Sequence, residues 1–200
     1  SLETEALLLF LLAPSANAAP AGEELQASLA DTVEAAAANA ALKPANCPHS
    51  ALGGFKDTEA MLNGVFGAGD SSGSLDVYSM RGWTAEIVVS WSGRRVTNGP
   101  GVDFIIFENG FEILPSGSGN YFMEPAFVEV SRDGSNWCGF APQYVAADPN
   151  THSRRQSDWQ RFAGRAPVYY NQEENPLSFE EIFRDAEGDG VMDLAGGDGF

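Results

Sequence analysis

The densest run of side chains able to hold a cation is Asp185-Ala-Glu187-Gly-Asp189-Gly190-Val-Met-Asp193. Acids at its first, third, fifth and ninth positions, with glycine at the sixth, match the front of a calcium loop. There, alternate oxygens converge on one ion because the glycine permits a sharp turn. The twelfth position is Gly196, where such a loop carries a bidentate glutamate, and Asp198 two residues on is the candidate for the missing oxygen. The spacing therefore points to a Ca2+ site made by Asp185, Glu187, Asp189, Asp193 and Asp198. The competing reading is an acidic turn that water solvates.

A second group stands in Gly99-Pro-Gly-Val-Asp103-Phe-Ile-Ile-Phe107-Glu108-Asn109-Gly110-Phe111. Gly-Pro-Gly is a turn signal, and Phe104 to Phe107 is an aromatic and β-branched run suited to a strand buried on both faces. Glu108 and Asn109 follow where that strand leaves the core. Their oxygens need either backbone donors or a bound cation, because an unpaired buried charge is too costly. Glu108 and Asn109 are thus a second cation site or a hydrogen-bonded structural corner. Asp103 lies at the opposite end of the strand and cannot join them. Glu124 and Glu129 are further acids on the strand region that follows.

Catalytic patterns are sparse. His49 and His152 are the only histidines, which argues against a multi-histidine zinc site, and no nucleophile elbow, phosphate-binding glycine loop or dinucleotide fingerprint is present. No catalytic residue is assigned. The many carboxylates leave a glycoside-hydrolysing pair open without singling one out. Arg154, Arg155, Arg161 and Arg165 gather around Trp159 and Phe162. Trp159 with Arg154 and Arg155 is a candidate ligand surface for an anion or a stacked sugar ring, against the alternative of a solvated loop with one aromatic tucked inward.

The elements that must position these groups are mostly strands. Among 200 residues, 28 acidic against 11 basic side chains give a net charge of −17, which disfavours nucleic acid and anionic membranes and favours cations. A hydrophobic content of 44% is ample for a core. Ala6 to Ala13 is an apolar segment too short to span a bilayer. With Pro14 and Ala16-Asn17-Ala18 after it, it reads as a secretory signal over residues 1–18, although Ser1 to Glu5 lacks the usual basic start. Export to the cell surface or medium, with no transmembrane span after cleavage, is the expectation. Residues 19–45 form an Ala-rich spacer, helical or partly disordered, and residues 46–200 the main domain. From Cys47 on, short strands alternate with turn signals: Ser74–Met80, Thr84–Trp91, Asp103–Phe107, Ala126–Ser131, Trp137–Phe140 as a hairpin return after Asp133-Gly134, and Val168–Tyr170. The fold class this predicts is all-β, an antiparallel sandwich of jelly-roll type. Cys47 and Cys138, the only cysteines, are expected to form a disulfide in an exported chain, two separate thiols being the alternative.

Four blocks carry a resemblance: Gly99 to Phe111, then Glu124-Pro-Ala-Phe-Val-Glu-Val-Ser-Arg-Asp-Gly-Ser-Asn-Trp137, then Phe162-Ala-Gly-Arg-Ala-Pro-Val168, then Ala195-Gly-Gly-Asp-Gly-Phe200. In this order they resemble a β-sandwich domain of secreted bacterial cell-surface proteins, found in surface lipoproteins and in proteins with C-terminal sorting signals. The resemblance implies an all-β sandwich concerned with adhesion or glycan binding. It also implies a closing strand after the last block, so that residues 46–200 would lack their last strand. The functional expectation is an exported, non-enzymatic, calcium-stabilised surface module whose partner is a glycan or another cell-surface component. An extracellular carbohydrate-active hydrolase and a purely structural spacer are the other classes.

Overall fold

The computed structural model describes residues 5–8, 55, 60, 64–81, 87, 100–131 and 136–200. The spacer, Cys47, His49, the Asp133-Gly134 turn and the expected strand Thr84–Trp91, apart from Ile87, lie outside them. Strands dominate the described residues, in five antiparallel two-stranded pairs. The all-β expectation holds at this level. Among the described residues, no helix is long and apolar enough to cross a membrane.

In chain order, β1 (Glu5–Leu8) pairs with β2 (Tyr78–Arg81), Glu5 opposite Arg81 and Leu8 opposite Tyr78. These four residues are the described part of the segment read from sequence as a secretory signal. β3 (Ile105–Ile106) lies within the strand expected at Asp103–Phe107. β4 (Phe111–Glu112) and β5 (Tyr121–Phe122) form a hairpin, with the Phe111 and Phe122 rings stacked at 5.1 Å. β6 (Glu129–Ser131) and β7 (Trp137–Gly139) form the expected hairpin, Val130 opposite Cys138. β8 (Gln143–Tyr144) pairs with β9 (Trp159–Gln160). A short helix, α1 (Phe179–Ile182), precedes the acidic loop, and β10 (Asp198–Gly199) closes onto β3.

The central run is buried as its composition predicts. Phe104, Ile105, Ile106 and Phe107 are all buried, and Ile105 and Phe107 join Val65, Val77, Val168, Tyr170, Ile182, Met192 and Ala195 in one apolar cluster. Each Val, Ile, Phe and Met side chain among them contributes about 1.5–3 kcal/mol by leaving water. β10 lies where no strand is assigned from sequence. Asp198 pairs with Ile106 and Gly199 with Ile105, and the Phe200 N–H donates to the Phe104 carbonyl at 2.9 Å. Phe200 also stacks on Phe104 at 5.5 Å and meets Phe140 edge-on at 5.1 Å. The last of the four sequence blocks is therefore built into the core beside the first.

α1 begins with a capping box legible in Ser178-Phe-Glu-Glu181. The Ser178 hydroxyl accepts from the Glu181 N–H, and the Glu181 carboxylate accepts from the Ser178 N–H at 2.8 Å. Those bonds hold the Glu181 carboxyl below its ordinary range. Ile182 anchors the helix in the core, and the chain runs from there into the acidic loop.

Candidate cation site

One buried arginine, Arg165, joins the acidic loop to the interior carboxylate Asp198, whose charge in turn bears on Glu108. Residues 162–168 are buried throughout. Ala163 bridges to Ala126 and Pro167 to Gly110, so this segment passes between the residues that follow β3 and those that follow β5. Gly164 turns it with φ +83. Glu108, Glu124, Arg165 and Asp198, all buried, are brought together there from four separate stretches.

Arg165 links the interior to the surface loop. Its Nε stands 2.8 Å from Asp198 Oδ1, an ion pair in which the N–H is not aligned for a hydrogen bond. Its backbone N–H donates to Asp198 Oδ2 at 3.0 Å, and its Nη2 donates to the Asp189 carbonyl at 2.8 Å. Burial pushes the Asp198 carboxyl up to about 6, against the pull of the Arg165 guanidinium and of nearby backbone N–H groups.

Glu108 and Asn109, grouped together from sequence, have different roles. Asn109 is the structural corner: its Oδ1 accepts from the Ser74 N–H and its Nδ2 donates to the Ser74 carbonyl at 3.1 Å. Glu108 is 1% exposed, and the backbone N–H groups of Asn109 and Gly110 approach its carboxylate without reaching good hydrogen-bond geometry. Burial drives its carboxyl well above the ordinary range, and the charges of Glu124 and Asp198 push the same way. The N–H groups of Asn109 and Gly110 pull against this.

In the acidic loop, Asp185 acts as an internal cap. One of its oxygens accepts from the N–H of Gly188 at 2.8 Å and of Asp189 at 3.2 Å, and the other from Gly190 at 3.0 Å. Asp189 Oδ1 accepts from Val191 N–H at 2.8 Å. Asp193 receives the Ala186 N–H and pairs with Arg184 at 3.2 Å. Glu187 is exposed. Asp185, Glu187, Asp189 and Asp193 therefore share one tight turn. Asp198, grouped with them by spacing, instead sits inside against Arg165, because β10 carries it into the core. Among the described residues, no three His, Cys, Asp or Glu side chains are grouped as a ready metal shell.

The remaining candidates are placed as follows. Trp159 is half-buried, with Tyr144 at 4.3 Å, His152 at 4.9 Å and Phe162 edge-on at 5.3 Å, and its Nε1 donates to the Ser153 carbonyl. Arg154 and Arg155 are exposed beside it. The Trp159 ring thus packs among Tyr144, His152 and Phe162 while Arg154 and Arg155 face solvent. Cys138 is exposed on β7, and its expected partner Cys47 lies outside the described residues. In the sequence, Glu124 and Arg165 stand in other groupings, and nothing local marks Gly164. Their shared signal was membership of the blocks beginning at Glu124 and Phe162.

Compared with protein-family models, curated proteins and solved structures, the chain has no match.

Proposed function

We propose that this protein is an exported, non-enzymatic surface module: a jelly-roll-type sandwich of the secreted bacterial cell-surface class, stabilised by Ca2+ at the loop of Asp185, Glu187, Asp189 and Asp193. The observation that carries the reading is the Asp185 cap. By gathering three backbone N–H groups it holds the loop in a tight turn, from which Glu187 and Asp189 project into solvent. Calcium there would offset part of the acidic surface charge and rigidify the turn. Two strongly exposed aromatics, Phe127 at 75% and Trp137 at 40%, support a role in contacting a glycan, since ring faces stack on sugars. Adhesion through a cell-surface carbohydrate is the function this combination favours.

Two measurements test the reading. A glycan array probed with and without calcium should give binding that Trp137→Ala abolishes. A thermal melt should shift upward with calcium and return in chelator. No glycan bound under either condition sinks the adhesion reading, and release of reducing ends from a polysaccharide would replace it with a hydrolase. An unchanged melt together with no calorimetric signal at millimolar calcium sinks the loop site.

A further inference from the structure

Of the basic side chains among the described residues, Arg165 and Arg184 are ion-paired, with Asp198 and Asp193. Arg154, Arg155 and Arg161 are all exposed, have no ion pair among the described residues, and share one short stretch of chain. With 28 acids against 11 bases the protein has acids to spare for every arginine, yet these are left unneutralised. The acids between residues 141 and 162, Asp148 and Asp158, are engaged locally. Asp158 accepts from the Ser153 hydroxyl, and Asp148 from the Asn150 N–H at 2.9 Å.

The backbone that displays the arginines is pinned. The Arg154 carbonyl accepts from the Tyr121 N–H at 2.8 Å, and the Arg155 N–H donates to the Ser153 hydroxyl at 3.1 Å. Ser153 is held in turn, its N–H donating to the Tyr144 hydroxyl at 2.8 Å and its carbonyl accepting from Trp159 Nε1 at 2.9 Å. Binding here need order only side chains, which keeps its entropic cost low.

An independent observation is the strip of rings in the same region. Phe127, 75% exposed, meets Phe162 at 5.3 Å, and Phe162 meets Trp159 edge-on at 5.3 Å. Trp159 is flanked by Tyr144 at 4.3 Å and by the exposed His152 at 4.9 Å. The strip therefore starts and finishes at exposed rings, Phe127 and His152. Arg154 and Arg155 follow His152 closely in the chain, and Arg161 lies between Trp159 and Phe162. Exposed rings offer faces to sugar rings, and the planar guanidinium fork matches the oxygens of a carboxylate or sulfate.

We propose that Arg154, Arg155 and Arg161, with the ring strip from Phe127 to His152, form a surface that binds an acidic glycan. The proposal rests on the adhesion reading and gives its ligand a chemical class. The net charge of −17 does not oppose it. At physiological ionic strength exposed charges more than about 8 Å apart are largely screened, whereas a guanidinium in contact with an anion still attracts it.

The test is calorimetric titration of the full chain at physiological salt, without added calcium, so that no cation bridges the ligand to the acidic loop. Polygalacturonate and dextran sulfate carry carboxylate or sulfate on sugar rings, dextran is neutral, and polyglutamate carries carboxylates without rings. Polygalacturonate or dextran sulfate should bind at least roughly tenfold more tightly than either of the others, and the one that binds identifies the anion. Arg154→Gln/Arg155→Gln and Arg161→Gln should each weaken that binding by roughly tenfold, and Phe127→Ala by roughly fivefold. All these positions are exposed, so the melting temperatures should match the wild type and separate lost binding from lost folding. Equal binding of polyglutamate would make this a surface for acidic proteins and overturns the proposal. So does binding that all of these variants leave unchanged. Failure of both acidic polysaccharides while a glycan array registers neutral sugars overturns this proposal alone; no glycan bound of either kind overturns it together with the adhesion reading.

Discussion

The Asn109 side chain clasps both backbone polar groups of Ser74, accepting its N–H through Oδ1 and donating to its carbonyl through Nδ2. Both residues are buried, so each group freed by a substitution bears its full desolvation penalty. Asn109→Ala is expected to cost about 2–4 kcal/mol by urea unfolding. Asn109→Asp should do no better, because an oxygen would then face the Ser74 carbonyl. A loss below about 1 kcal/mol in the alanine variant would show that the clasp does not hold this corner.

Removing one partner of the Arg165–Asp198 pair leaves the other charge stranded. Arg165→Met and Asp198→Asn should each destabilise by about 3–5 kcal/mol in chelator. The double variant should recover part of that sum, because the stranded charge disappears with its partner. Strictly additive losses in the double-mutant cycle would contradict a coupled pair.

The direction of pH dependence follows from the same residues. Asp198 titrates near 6 when folded against an ordinary 3.8, so the folded state holds its proton more tightly than the unfolded state does. Its contribution is most favourable below the unfolded value and is lost as pH rises through the folded one. Glu108, also raised, extends the decline upward. Glu112 has the opposite sign. The Gly117 and Gly119 N–H groups lower its carboxyl below 4.5, so its contribution is present above that value and lost as pH falls through the folded one. From about pH 4.5 to 6.5 the raised carboxyls should dominate, and stability in chelator should fall by on the order of 3 kcal/mol. Urea titrations across this window that give flat or rising stability would refute the assignment.

Two glycines with nearly the same backbone should respond differently to alanine. Gly188 has φ +70 and open space around the missing Cβ, whereas Gly196 has φ +66 and would place a Cβ 2.0 Å from the Pro167 carbonyl oxygen. Gly188→Ala should cost about 1 kcal/mol from backbone strain alone. At Gly196 the steric clash adds to this strain, and alanine should cost more than about 4 kcal/mol or prevent folding. Similar losses at both sites would mean that the close approach of residues 167 and 196 is not maintained in solution.

What could be read from sequence divides along the range of the interactions. Phe104 to Phe107 and the Glu129–Ser131/Trp137–Gly139 hairpin were legible because apolar runs and a two-residue turn signal act locally. The capping box at Ser178 is equally local, Ser-x-x-Glu before Ile182 being its signature. β10 was out of reach. Asp198 and Gly199 have no strand propensity, and their pairing with β3 depends on residues far away in the chain. The candidate site divided for the same reason. Spacing grouped Asp198 with the loop and Glu108 with Asn109, whereas tertiary packing joined Glu108 to Asp198 and left Asn109 to the backbone. Arg165, which pairs with Asp198, resembles a surface cation in sequence because nothing local distinguishes a buried arginine from an exposed one.

The pairing of β10 with β3 also sets a kinetic condition. The strands it joins are separated by nearly half the chain, and Phe200 completes the aromatic contacts of Phe104 and Phe140. Closing so long a loop is entropically slow, and it must precede the burial that rewards it. On the ribosome, Phe104 to Phe107 therefore emerges well before residues 198–200, its β10 partner. Throughout that interval the nascent chain carries a β-forming apolar run without the strand that covers its edge in the fold.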